Sequence, residues 1–221
     1  MKITFVLPHA KFTGGVRAVF EHSDSMCKMG HDVEIVFPTV WRDLKVFEKN
    51  NGWGFEKKMR EAKTFLEYLR YKKKIERFPR KARLKAVSNL SPKNIPDGDI
   101  IFATAVETAE WVNTFPERKG DKWYFIQGEE KWVGEERMIA SWKLPLKRLV
   151  LSQFIMNCVK DRAGGDVYGP VVNGVNFSDF YPDFSLLKDA HERDFRVGMM
   201  YHRYHGKGVA DGLAAFRIAR K

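Results

Sequence analysis

Three consecutive stretches decide the fold: Lys2-Ile3-Thr4-Phe5-Val6-Leu7, then Thr13-Gly14-Gly15-Val16-Arg17-Ala18-Val19-Phe20, then Val33-Glu34-Ile35-Val36-Phe37-Pro38. The first does not alternate apolar and polar residues cleanly. It reads as a strand buried on both faces, as in a parallel sheet. The second carries apolar residues at helical spacing after a glycine pair, and the helix is expected to stop at Lys28-Met29-Gly30, with Gly30 in the left-handed position past its end. His31-Asp32 then turn the chain into the second strand, which Pro38 stops. Strand, helix and strand within residues 2–38 form a βαβ unit, whose strands are parallel and whose crossover is right-handed.

The same alternation continues outward from this unit. Strands are expected near 84–87, at Ile100-Ile101-Phe102-Ala103-Thr104, at 122–126, at 148–151 and at 167–172, with helices over about 106–113 and 153–162. Asn94-Ile95-Pro96-Asp97-Gly98-Asp99 supplies a turn before the strand at 100. This pattern predicts an α/β fold with a doubly wound parallel sheet. Residues 173–194 are rich in turn formers, after which 195–200 read as a strand and 208–220 as a helix. We therefore expect a Rossmann-like domain over 1–193, followed by the first strand and helix of a second domain over 194–221.

Composition restricts the functional classes. With 221 residues, 44% of them hydrophobic, the chain can bury a substantial core. It has no apolar run long enough to cross a bilayer, and the residues after Met1 are too short an apolar run for a signal peptide. Cys27 and Cys158 are read as two lone buried thiols in helices, compatible with a reducing cytosol. A net charge of +11 calls for an anionic partner: a nucleotide phosphate, a nucleic acid or an acidic membrane surface.

Gly14 and Gly15 lie between a strand and a helix, where small residues let backbone N–H groups approach a phosphate at the positive end of the helix. A tight turn is the plainer reading of the same pair. Neither G-x-G-x-x-G nor G-x-x-x-x-G-K-[ST] occurs, which disfavours ordinary dehydrogenases and P-loop enzymes, and no G-x-S-x-G supports a nucleophilic triad. Gln127, Glu129 and Glu130 follow a strand, on the rim where open α/β sheets bind ligands; solvated acids in a turn are the alternative. His9 also follows a strand, though a surface histidine is the simpler view. His202 and His205 have no carboxylate companion that would make a metal site.

The order of these features resembles the N-terminal domain of retaining GT-B glycosyltransferases of family 4, the group 1 transferases, especially the rhamnosyltransferase type. The resemblance rests on Gly14-Gly15-Val16-Arg17 with Gly30-His31-Asp32-Val33, on 95–104 with Thr108-Ala109-Glu110-Trp111-Val112, and on Tyr124-Phe125-Ile126-Gln127. It extends through Ser152-Gln153-Phe154 and Val172-Asn173-Gly174-Val175-Asn176 with Phe180 to Gly198, Arg203 and Lys207-Gly208. The resemblance implies transfer of a sugar from a nucleoside-diphosphate sugar donor to a polysaccharide, glycan or lipid-linked acceptor, with retention. It implies that Gly14 and Gly15 lie near the donor phosphates, that Arg203 and Lys207 neutralise the leaving diphosphate, and that no metal or other cofactor is required. One of Gln127, Glu129 and Glu130 would position the acceptor hydroxyl. The family's second domain normally carries E-x7-E, and this sequence ends before such a motif. The resemblance therefore implies a truncated donor site, and a chain that does not transfer sugar alone.

Two other readings stand beside the transferase: a non-catalytic membrane- or partner-binding module on the same fold, and an unrelated nucleotide binder. The basic residues bear on this choice. Between Lys57 and Lys85 thirteen cations, Lys72, Lys73, Lys74 and Arg77 among them, face only Glu61, Glu67 and Glu76. Met59, Ala62, Phe65, Leu66 and Leu69 recur as one helical face. A basic amphipathic stretch with aromatic residues suits an anionic membrane surface, hence a cytoplasmic protein peripheral on the inner face of the membrane. A solvated helix covering the sheet is the equally simple alternative. Nucleic acid is a third candidate, disfavoured because no nucleic-acid-binding module is recognisable.

Overall fold

The computed structural model describes residues 1–9, 11–39, 55–75, 81–182, 184, 196–202 and 205–220. Within them lie β1 (Lys2–Val6), α1 (Gly14–Lys28), β2 (Asp32–Pro38), α2 (Phe55–Ile75), β3 (Arg83–Val87), β4 (Ile100–Ala103) and α3 (Val106–Asn113). There follow β5 (Asp121–Ile126), α4 (Glu135–Trp142), β6 (Lys147–Val150), α5 (Gln153–Ala163) and α6 (Val209–Ala219). The chain divides into two compact units, Met1–Asn176 and Phe177–Lys221.

The first unit is a doubly wound, Rossmann-like α/β fold. Its six strands are all parallel in the order β3-β2-β1-β4-β5-β6. Strand β1 is central, with Ile3 opposite both Val33 and Ile100. The lack of alternation in β1 has its reason here, since both of its faces are covered. Ile3, Phe5 and Leu7 join Val33, Ile35, Phe37, Phe102 and Phe125 beneath α1 and α2, where Val16, Val19, Phe20 and Ile75 are buried. Val6, Val36, Ile101, Ala103, Tyr124, Ile126 and Val150 form the opposite core against α3, α4 and α5. Phe5 and Phe102 stack across adjacent strands at 4.8 Å.

Gly30 takes φ +89, the left-handed conformation that ends α1 as expected. Gly120 is more demanding. Its φ is +105, and a Cβ there would lie 2.6 Å from the Asp99 carbonyl carbon. Only glycine lets the start of β5 pass so close to the turn before β4. Lys119 is buried beside that turn, donating to the Ile95 carbonyl and pairing with Asp97 at 2.6 Å, which lowers the Asp97 pKa.

Several sequence expectations need correction. Residues 167–172 form no strand: a single bridge joins Leu149 and Tyr168. No regular ladder follows, because Gly169 takes φ +103 and Pro170 has no N–H to donate, although Val171 N–H still donates to the Val150 carbonyl at 2.8 Å. Residues 196–200 are exposed and irregular, and among the described residues no strand shares a ladder with them; position 195 lies outside the described residues. Cys27 and Cys158 do lie in helices, but both are half-buried free thiols. Partial burial raises the Cys27 pKa above its ordinary value.

In the second unit, α6 follows a 3₁₀ turn over His205–Lys207 and starts at Gly208, whose φ is +66. No residue of α6 is buried, although Leu213, Phe216 and Ile218 are apolar.

Candidate functional site

The strand order reverses direction between β1 and β4. Chain segments leaving these neighbours diverge to opposite sides of the sheet, and the carboxyl edge at such a switch point is where open α/β sheets take ligands. Gly14 and Gly15 form the first turn of α1 at this edge. Thr13 caps that turn, its hydroxyl accepting from Val16 N–H at 3.4 Å and its carbonyl from Arg17 N–H at 2.9 Å. The amides of Gly14 and Gly15 thus precede the first bonds of the helix and form its donor end. Gly14 is exposed, and a Cβ added there would meet nothing within 4 Å.

Gln127, two strands away and just past β5, comes to the same place. A Cβ on Gly15 would lie 3.3 Å from Gln127 Oε1 and 3.5 Å from Nε2, so the absent side chain is what admits the glutamine. Gln127 Oε1 is shielded from solvent and has no hydrogen-bond partner among the described residues. The sequence placed these two features 112 positions apart; the parallel sheet brings them into contact.

Glu129 and Glu130 point to other partners. Glu129 pairs with Arg162 at 2.8 Å and Lys131 at 3.2 Å, fastening the segment after β5 to α5. Glu130 is 7% exposed and its Oε2 accepts from Val106 N–H at 3.0 Å, filling a donor site at the start of α3. Burial pushes the Glu130 pKa up to about 7 and the neighbouring Glu107 charge adds to this, while the Val106 hydrogen bond opposes it. Thr108 completes the same helix start: its hydroxyl accepts from Thr104 and Ala105 N–H and donates to the Ala105 carbonyl, each at 2.9 Å. Thr104 in turn donates to the Val6 carbonyl at 2.8 Å, which ties the segment after β4 to the end of β1.

Residues 173–176 return to α1, with Asn173 Oδ1 3.2 Å from His22 Nε2 and Asn176 donating to Glu21 Oε2 at 3.0 Å. His9 lies half-buried beyond β1, its Nδ1 accepting from Lys11 N–H at 3.3 Å. Lys207 belongs to the second unit, where it is exposed in the turn before α6. Arg203 and Arg77 lie outside the described residues, as does the side chain of Lys74; Lys72 and Lys73 are exposed on α2. Among the described residues no group of three or more His, Cys, Asp or Glu side chains could hold a metal ion, and no helix is long and apolar enough to cross a membrane.

A groove of about 400 Å³ lies at the opposite edge of the sheet, lined by Trp142, Lys147, Arg148, Gly165 and Tyr168 among others. Arg148 is buried there, donating to the Trp142 and Asp166 carbonyls at 3.1 Å. Its guanidinium therefore caps backbone near the ends of α4 and α5. The glycine pair and Gln127 are at the other end of the strands, and we assign the candidate site to them. Helix capping by Glu130 and Thr108 was not legible in the sequence. The only signal was a threonine three residues past Ala105, without the usual capping residue at that position.

This arrangement defines a class by its fold: a Rossmann-like, doubly wound α/β protein with a glycine-led helix start at its topological switch point. No family model, curated protein or solved structure matches the chain.

Proposed function

We propose that the first unit is the acceptor-side half of a retaining GT-B glycosyltransferase that uses a nucleoside-diphosphate sugar. The observation carrying this reading is the contact of Gln127 with Gly15 at the switch point. It puts a shielded carboxamide oxygen beside a helix start whose first amides suit a phosphate. The order of sequence features through Lys207-Gly208 supports the same class.

Each group has a distinct task in this reading. The Gly14 and Gly15 amides, with the positive end of α1, stabilise charge developing on the leaving phosphate. Gln127 Oε1 accepts a hydrogen bond from an acceptor hydroxyl and orients it. Glu130 has a supporting task only, since its carboxylate is engaged with α3. Acceptors are glycans or lipid-linked sugars.

Amide NMR spectra recorded during titration with a nucleoside diphosphate test the reading. Shifts are expected at Gly14, Gly15 and Gln127, and Gly14→Leu should weaken binding at least about tenfold, because one blocked helix-end hydrogen bond to a charged group contributes about 1.5–3 kcal/mol. The open space beside Gly14 predicts that this variant folds normally. No shift at these residues with millimolar ligand would overturn the proposal. Tighter binding of a dinucleotide would assign the sheet edge to an unrelated nucleotide binder.

A further inference from the structure

Helix α2 is amphipathic in the wrong sense for a helix that only covers a sheet. Its inward side uses Tyr68, whose ring lies 5.9 Å from that of Phe37, and the fully buried Ile75. The apolar face formed by Met59, Ala62, Leu66 and Leu69 is turned to solvent: Met59 is 60% exposed, Leu66 64% and Leu69 48%. These four residues follow helical spacing, so they form one continuous strip. Lys63 and Arg70 are exposed along one border of that strip, Lys73 is exposed in line with it one turn past Leu69, and Phe65 lies along the other border. None of positions 59, 62, 63, 66, 69, 70 and 73 is acidic.

We propose that this outward face of α2 docks on an anionic lipid bilayer, with the helix lying in the plane of the surface. Met59, Leu66 and Leu69 would enter the boundary between headgroups and acyl chains, while Lys63, Arg70 and Lys73 remain at the level of the anionic headgroups. The choice of occupant rests on charge complementarity combined with the apolar strip. A nucleic acid would use the cations and leave Met59, Leu66 and Leu69 in water; a bilayer uses both sets. The proposal rests on the strip between 59 and 73; of the run at 72–77, Arg77 and the side chain of Lys74 lie outside the described residues. The inference does not depend on the reading of the sheet edge, because no ligand there enters it.

Co-sedimentation of the full chain with phosphatidylcholine vesicles, with and without phosphatidylglycerol, provides the test. Binding is expected only to the anionic vesicles and should weaken as salt rises toward 0.5 M, since ~3–10 Å screening lengths cover that range. Each cation near the surface changes the partition about fivefold, so Lys63→Glu with Arg70→Glu should reduce it at least about twentyfold. Leu66→Ser with Leu69→Ser should reduce it strongly while leaving net charge unchanged. Both pairs are exposed, and unchanged melting will verify that they fold. Lys28→Glu with Lys93→Glu, an equal charge change away from α2, should have little effect. The proposal is overturned by absence of binding to anionic vesicles at low salt, by equal binding to neutral ones, or by insensitivity to the serine pair. Binding to a DNA duplex that responds to the charge pair but not to the serine pair, without vesicle binding, would assign the face to nucleic acid instead.

Discussion

Glu130 shows how one side chain can look catalytic in sequence and act as a structural cap in the fold. It follows a strand at the ligand-binding edge, yet its carboxyl is buried against the first N–H of α3. Burial raises its folded-state pKa from an ordinary 4.5 to about 7. An acid raised in this way holds its proton more tightly when folded. Its contribution is therefore fully present below about pH 4.5 and is lost as pH rises through about 7. Thermal or urea unfolding followed from pH 4.5 to 8 should show a decline of about 2–3 kcal/mol from this group. Glu130→Gln, which keeps an acceptor for Val106, should remove most of that slope. An unchanged pH profile in the variant would mean that the carboxyl is not buried as described.

At the scale of an element, α3 begins without a side-chain cap of its own, because Ala105 has no polar atom to offer. Thr108 and Glu130 serve the buried donors at its start, one from within the helix and one from the segment after β5. Replacing Thr108 by Val keeps the volume but leaves the Thr104 and Ala105 amides unpaired in a buried position. We expect a loss of about 1–3 kcal/mol in chemical denaturation, with Thr108→Ser recovering most of it. Helix α2 presents the opposite situation. Its periodicity gave a correct helix, but periodicity cannot say which face meets the sheet. Tyr68 and Ile75 met it, and the more conspicuous strip of Met59, Leu66 and Leu69 stayed outside.

At the scale of the whole molecule, the two units differ in what sustains them. Residues 1–176 hold two hydrophobic cores around the parallel sheet. The unit over 177–221 has a helix with no buried residue and several exposed apolar side chains. A chain ending at Asn176 should therefore melt cooperatively within about 3 °C of the full chain, the span corresponding to about 1 kcal/mol at this length. A peptide of residues 177–221 should show no cooperative transition by circular dichroism. A large drop in the melting temperature of the shorter chain would reveal that the second unit stabilises the first.

The sequence by itself determined the parallel α/β class, the glycine-led start of α1 and most strand positions, because backbone preference and burial periodicity are local properties written along the chain. It misjudged 167–172 and 196–200, where apolar composition resembles a strand but pairing requires a neighbour. Only the tertiary structure decided that Gln127 meets Gly15, that Glu130 caps α3, and that α2 turns its apolar strip outward. Each depends on which elements lie side by side, and that follows from the order of strands in the sheet. Spacing along the chain contains the helix, but contact across the fold assigns its faces.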